Sequence, residues 1–244
     1  MLFMPPLGRA AARPIALRGQ VVTRDSTVSG GETLVSVGAP IGSGPGDALL
    51  SFNLWSENVQ ASGSGALVFT DPAPWTLMER TQTEPPSGAL TAPSLPFRST
   101  YFSVPTSPLS PPFAASWSGL GKTISAMVVF RNVSRLENRN FSSGNLTTTA
   151  TVATGLTVTR PGLLVFMVGQ IVGNWDRPLR RELDAPPAGM TEILNEQGDG
   201  HDPGLFIWTQ PVDVGHVSKE ATFKLRPGAP DESDRAIRWL FVLS

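Results

Sequence analysis

The chain has 244 residues, 40 % of them hydrophobic and only 16 % charged, against roughly 25 % charged in an ordinary soluble domain. Its 19 basic and 20 acidic residues leave a formal charge of -1, which gives no electrostatic footprint for nucleic acid or an anionic membrane. Without cysteine it has no disulfide, thiolate nucleophile or Cys-ligated zinc, and without a long apolar run it has no expected membrane-spanning helix.

The first residues, MLFMPPLGRAAARP, are apolar but interrupted by Pro5 and Pro6, and no basic leader precedes them. That makes a poor signal peptide, and residues 1–17 are expected to form an extended N-terminal arm. Runs rich in β-branched and aromatic residues then predict strands at 18–24, 32–38, 47–55, 75–81, 98–104, 112–118 and 123–133. Proline-heavy stretches at 83–97 and 104–112 read as loops whose missing N–H donors guard strand edges. Residues 135–149, RLENRNFSSGNLTTT, are polar and read as a linker or crossover loop. Further strands are predicted at 145–152, 155–160, 163–172, 190–196, 204–210, 221–227 and 236–243. A short helical turn is predicted around DRPLRRELD, 176–184, with Pro178 in its first turn.

The two halves repeat one order of words. PGDALLSFNLW (45–55) corresponds to PGLLVFMVGQI (161–171), DPAPWTLMERT (71–81) to DAPPAGMTEILNE (184–196), and FRSTYFSVP (97–105) to GLFIWTQPV (204–212). A strand, a polar turn and a closing apolar strand then recur in 113–133 and 221–243. The predicted fold class is therefore all-β: two related antiparallel β-sandwich, jelly-roll-like units from an internal duplication. They occupy 18–134 and 150–244, either in tandem or fused into one double sandwich.

Motifs for chemistry are sparse. GLGKT (119–123) has Ser116 where a phosphate loop needs its first glycine, and it leads into a predicted strand, so it reads as a hairpin turn. DGHDPG groups Asp199, His201 and Asp202, with Asp213 and His216 further on. These are candidate metal ligands, but the spacing fits neither an EF-hand nor a zinc helix, and no metal or other cofactor is expected. There is no nucleophile elbow, and a hydrolytic triad would have to use His201 or His216. Glu57, Glu79, Asp184 and Glu192 are available as a glycosidase pair, yet strand ends and solvated faces account for all four. Trp75, Trp117, Trp208 and Trp239 fall inside strand patterns and are expected in the core, with Trp55 ending another run. Trp175, in GNWDRP, is the exposed candidate for stacking on a sugar or for an interface. Arg177, Arg180 and Arg181 beside it suggest an intersubunit ion-pair patch. The sequons at Asn132, Asn140 and Asn145 read as incidental.

The succession GDALLSF, PWTLMER, a strand containing YF, and MVVFRNV resembles a β-rich module of bacteriophage and prophage structural proteins. The corresponding words of that module run like GDLLL, PpGWt and a closing strand ending in Arg-Gly-Val. Gly46, Asp47, Leu49, Leu50, Trp75, Thr76, Arg131 and Val133 fit it, and Asn132 stands where the glycine would be. The second copy keeps PPAG at 186–189, with Met190 at the tryptophan position. The likeness covers most of residues 33–243 and implies a non-enzymatic virion protein: a tail fibre, tail tip or receptor-binding component, or alternatively a head decoration or spike protein. A carbohydrate-binding module built around Trp175 is a further reading. The expected partners are other virion proteins reached through the arm, further copies of the chain, and a host-surface glycan or receptor. Assembly in the host cytoplasm and residence in the virion follow. Leu2, Phe3, Met4 and Leu7 would anchor the arm in a groove on a neighbouring subunit, each buried side chain contributing about 1.5–3 kcal/mol before ordering costs.

Overall fold

The computed structural model describes residues 14–25, 32–38, 42–57, 75–82, 96–103, 113–118, 121–146, 150–171, 181–198, 202–228 and 234–244. Among them there is no helix. The first half contributes β1 (Ala16–Asp25), β2 (Glu32–Val37), β3 (Asp47–Glu57), β4 (Thr76–Gln82), β5 (Pro96–Ser103), β6 (Phe113–Ser118) and β7 (Gly121–Arg131). The second contributes β8 (Leu136–Leu146), β9 (Ala150–Val158), β10 (Gly162–Ile171), β11 (Arg181–Ala185), β12 (Thr191–Glu196), β13 (Gly204–Val212), β14 (Gly215–Leu225) and β15 (Asp234–Leu243). All pairings are antiparallel.

Two five-stranded sheets run β1-β7-β3-β5-β4 and β8-β15-β10-β13-β12, and two small sheets run β2-β6 and β11-β14-β9. The five-stranded sheets share one order. In each, the strand that opens the half lies at one edge and bonds the strand that closes it; the central apolar strand comes next. The far edges also match, since β4 slips register between Leu77 and Glu79 against β5, and β12 slips between Glu192 and Leu194 against β13. Such bulges bend an edge strand and end clean pairing there.

A half-buried strand alternates apolar and polar residues, whereas β10 reads as a nearly unbroken apolar run because both its faces are buried, and in β3 and β7 the second buried face carries Ser51, Asn53, Thr123 and Ser125. Ala48, Leu50, Phe52 and Leu54 of β3 meet Leu163, Val165 and Met167 of β10 in a core shared by the two large sheets. The Phe52 ring lies 6.0 Å from Trp239, edge to face, and 6.4 Å from Phe241. The other face of β10, with Leu164, Phe166 and Val168, packs with Phe206, Trp208 and Phe223 over the three-stranded sheet. There Phe206 stacks on Trp208 at 5.9 Å and meets Phe223 edge-on at 5.5 Å. In contrast, β14 covers the core with one face only, and its His216, Ser218 and Glu220 alternate outward.

The two Pro-Gly words serve different ends. Pro45-Gly46 is the centre of a turn in which Asp47 N donates to Gly44 O at 3.2 Å and Gly46 has φ 77°. This is the geometry of a type II turn, which needs a positive φ at its third residue. The Asp47 carboxylate accepts from Gly44 N at 2.8 Å and locks the turn further. Gly162 instead opens β10, where a Cβ would stand 2.3 Å from Leu243 O on the neighbouring strand. The first glycine supplies a backbone conformation and the second supplies room.

Three sequence expectations need correction. Residues 136–146, read as part of a linker, form the edge strand β8, paired with β15 from Leu136 to Leu146. Its polarity reflects its edge position, with Arg139 and Asn140 exposed and Phe141 half-buried. The second group of strands therefore begins near 136 rather than 150. The expected helical turn is replaced at 181–185 by β11, which pairs with β14. The arm boundary at 17 falls inside β1, which starts at Ala16.

Candidate functional site

At one end of the paired sheets, polar side chains bind the two halves together. Arg24 on β1 donates through Nε and Nη2 to Glu196 Oε2 at 3.3 and 3.1 Å, and through Nη1 to Pro203 O at 3.0 Å. Lys122 Nζ at the start of β7 stands 2.7 Å from Asp202 Oδ1. Behind them the buried Gln170 donates through Nε2 to Arg181 O at 2.8 Å, and Gln197 Nε2 donates to the same oxygen at 3.2 Å. Arg226 donates to Gly198 O. The charged side chains Arg24, Glu196, Lys122 and Asp202 are partly accessible, and their work is mechanical: Arg24 and Lys122 fasten Glu196, Asp202 and Pro203 to the first sheet.

The candidates from the sequence distribute themselves accordingly. Asp202 is engaged by Lys122, and Asp199 and His201 lie outside the described residues. No group of three His, Asp or Glu among the described residues is placed to hold a metal ion. Arg181 is fully buried, so its side chain is no part of an exposed patch; Trp175, Arg177 and Arg180 lie outside the described residues. Trp75, Trp208 and Trp239 are buried core residues, unavailable for stacking on a sugar; the side chains of Trp55, Trp117, Glu57 and Glu79 are not among those described. His216 is exposed on β14, its ring 3.4 Å from where a Cβ on Gly155 would stand. Glu192 accepts from Asn195 Nδ2 at 3.1 Å, while Asp184 and Glu182 share Lys224 at 3.1 and 3.7 Å. The Asp184 hydrogen bond and charge raise the Lys224 pKa. GLGKT enters β7 directly, so no helix N-terminus follows it to cradle a phosphate.

The opposite end of the sheets carries a cleft of about 350 Å³ whose walls include Pro14, Ile15, Asn132, Pro161, Leu163 and Pro211. Five of these six are apolar, and none titrates near neutral pH. Its frame is well braced. Ser134 N and Arg135 N both donate to Ser244 O, at 2.8 and 3.0 Å, and Ser244 N donates to Arg135 O at 3.0 Å. The Ser244 hydroxyl donates to Glu137 Oε1 at 2.7 Å; that bond, with Arg135 beside it, holds the Glu137 pKa below the ordinary glutamate value. Asn132 is the one non-glycine among the described residues with positive φ, at 62°, and its Nδ2 donates to Pro14 O at 2.8 Å. A glycine would adopt this conformation more easily, yet only a side chain such as asparagine tolerates it and also tethers the carbonyl of Pro14. The cleft draws on five separate stretches of chain, so no local word announces it; the one signal is Asn132 at a position where the resembling module has glycine. Asn140 is likewise engaged, donating to Gly155 O at 2.6 Å.

What the cleft offers chemically is a donor-poor apolar surface. Pro14, Pro161 and Pro211 have no N–H, so an apolar segment seated there leaves none of their backbone donors stranded. The chain matches no protein-family model, no curated protein and no solved structure.

Proposed function

We propose that this chain is a non-enzymatic structural protein of a bacteriophage virion, most simply a tail fibre, tail tip or receptor-binding component. It is built from two related β-sandwich units and anchored through its N-terminal segment. The observation that carries the duplication is the shared strand order of the two five-stranded sheets, with bulges at matching outer edges. Independent origins seldom reproduce both the order of five strands and the place of an edge bulge. The large sheets share a core, which favours one fused double sandwich over tandem units. The phage assignment rests on the module resemblance, and the structure adds a physical reason for its departure at the closing strand: Asn132 holds the left-handed conformation that a glycine would take.

The chain of residues 1–13 precedes an exposed Pro14 at the apolar cleft, which suits an anchor at that end and leaves the rest of the β body free to project. The test is co-sedimentation. In cells producing the particle, the protein should band with intact particles in a density gradient, and a chain lacking residues 1–13 should fold but stay in the soluble fraction. Absence of the full chain from particles would sink the virion reading.

A further inference from the structure

We infer that the Pro14 cleft is a socket for the N-terminal segment of a second copy of this chain, with Leu2, Phe3, Met4 and Leu7 supplying the side chains that fill it. This rests on the reading of that segment as an anchor and names what it grips. Thirteen residues precede the first described one, and Pro14 is itself part of the cleft wall. The segment therefore starts at a socket whose apolar lining matches its own composition, and the two need not belong to the same molecule.

Stiffness favours exchange between copies. Pro5 and Pro6 bias their surroundings to extended backbone, and Arg13 is restricted likewise because it precedes Pro14. The Asn132 bond to Pro14 O fixes the root from which the segment departs. With its root held and Pro5-Pro6 extended, the segment can return to the wall it leaves only by a tight reversal within residues 8–12, whereas the socket of a neighbour requires none. Extended, thirteen residues span up to roughly 45 Å, enough to reach the same socket on a neighbour. The Pro5-Pro6 pair lacks amide donors, and three prolines line the walls, so these parts of the contact strand no N–H. The surfaces are complementary between identical chains, so reciprocal exchange closes a two-fold dimer and one-way exchange builds a chain of subunits.

The test uses the full-length protein in sedimentation velocity over a concentration series. Two variants separate the parts: Phe3→Asp charges the plug, and Pro211→Asp charges the exposed wall of the socket without entering the core. Both should keep the wild-type unfolding midpoint and weaken self-association at least tenfold. Mixing them should restore part of it, because Pro211→Asp brings an intact plug and Phe3→Asp an intact socket. Wild-type association that survives either variant overturns the inference, as does a wild-type monomer whose residue 3 cross-links to its own Pro211 wall. Failure here is distinguishable from failure of the anchor. If Pro211→Asp self-associates normally while deletion of residues 1–13 still blocks entry into particles, the segment is an anchor that grips another protein. If the deletion enters particles normally, the anchor reading itself falls.

Discussion

Replacing Gly46 and Gly162 separately by alanine should give losses of different size and, more tellingly, of different kind. At Gly46 there is open space, with no atom within 4 Å of a built Cβ, so the cost is backbone alone: φ 77° in a residue that now has a side chain. Left-handed backbone costs roughly 1–2 kcal/mol for an L-residue, partly offset by about 0.4–1 kcal/mol from a less flexible unfolded chain. A net loss of about 1 kcal/mol is expected. At Gly162 the Cβ would sit 2.3 Å from Leu243 O and 2.9 Å from Val242 Cγ1. A carbonyl on the paired strand cannot turn aside without disturbing the β10–β15 ladder, so the loss should reach about 3 kcal/mol, the upper part of the range for overpacking. Guanidinium unfolding should show both as shifts in midpoint at constant slope. Asparagine discriminates further: it enters the left-handed region readily, so Gly46→Asn should recover most of the stability lost by Gly46→Ala, whereas Gly162→Asn should do no better than alanine. Equal losses at the two sites, or rescue by asparagine at both, would refute the assignment of two different roles to the repeated Pro-Gly word.

Gly169→Ala should cost about 1–3 kcal/mol, since the new Cβ would lie 2.7 Å from Leu54 Cδ1 across the shared core, and Leu54→Ala in the same chain should make it nearly silent in a double-mutant cycle. The cycle between Arg24→Met and Glu196→Gln should give a coupling no larger than about 1 kcal/mol that shrinks with salt, because both side chains keep contact with water. Glu137 has a lowered pKa in the folded chain, so its stabilising effect is complete above the ordinary glutamate value and is lost as pH falls through the folded one. An NMR titration should place its midpoint below that of free glutamate, and Ser244→Ala should move it upward; an unmoved midpoint would deny the serine its part.

The strands at the centre were legible in the sequence because burial on both faces writes an unmistakable message: LLVFMVGQI has no polar alternation to confuse with an exposed strand. The same rule failed at β8, where LENRNFSSGNL carries the composition of a loop and becomes a strand only because β15 offers it an unpaired edge. The short helical turn expected around 176–184, with Pro178 in its first turn, gives way at 181–185 to pairing of β11 with β14, which a local signal does not contain. Arg181 shows a deeper limit: an arginine in a charged run predicts solvent, and nothing within RPLRREL tells that this one turns inward. The cleft was illegible for a different reason, since Ile15, Asn132, Leu163 and Pro211 are brought together only by the alignment of strand ends.

The strand order also dictates a timetable for synthesis. β8 bonds only β15 within its sheet, and β10 lies between β13 and β15, so the sheet lacks an inner member until β15 has been made. The first sheet has the same dependence, with β1 waiting for β7. The opening strands β1 and β8 must therefore wait for their sheet partners through most of the translation of their own halves, and such non-local closure is slow. A stalled or clipped product missing β15 would lose an inner strand of its sheet and expose the aromatic surface that Trp239 and Phe241 otherwise cover. Yield in the cell should accordingly depend on chaperone supply and on completing β15 far more than on changes in the exposed turns.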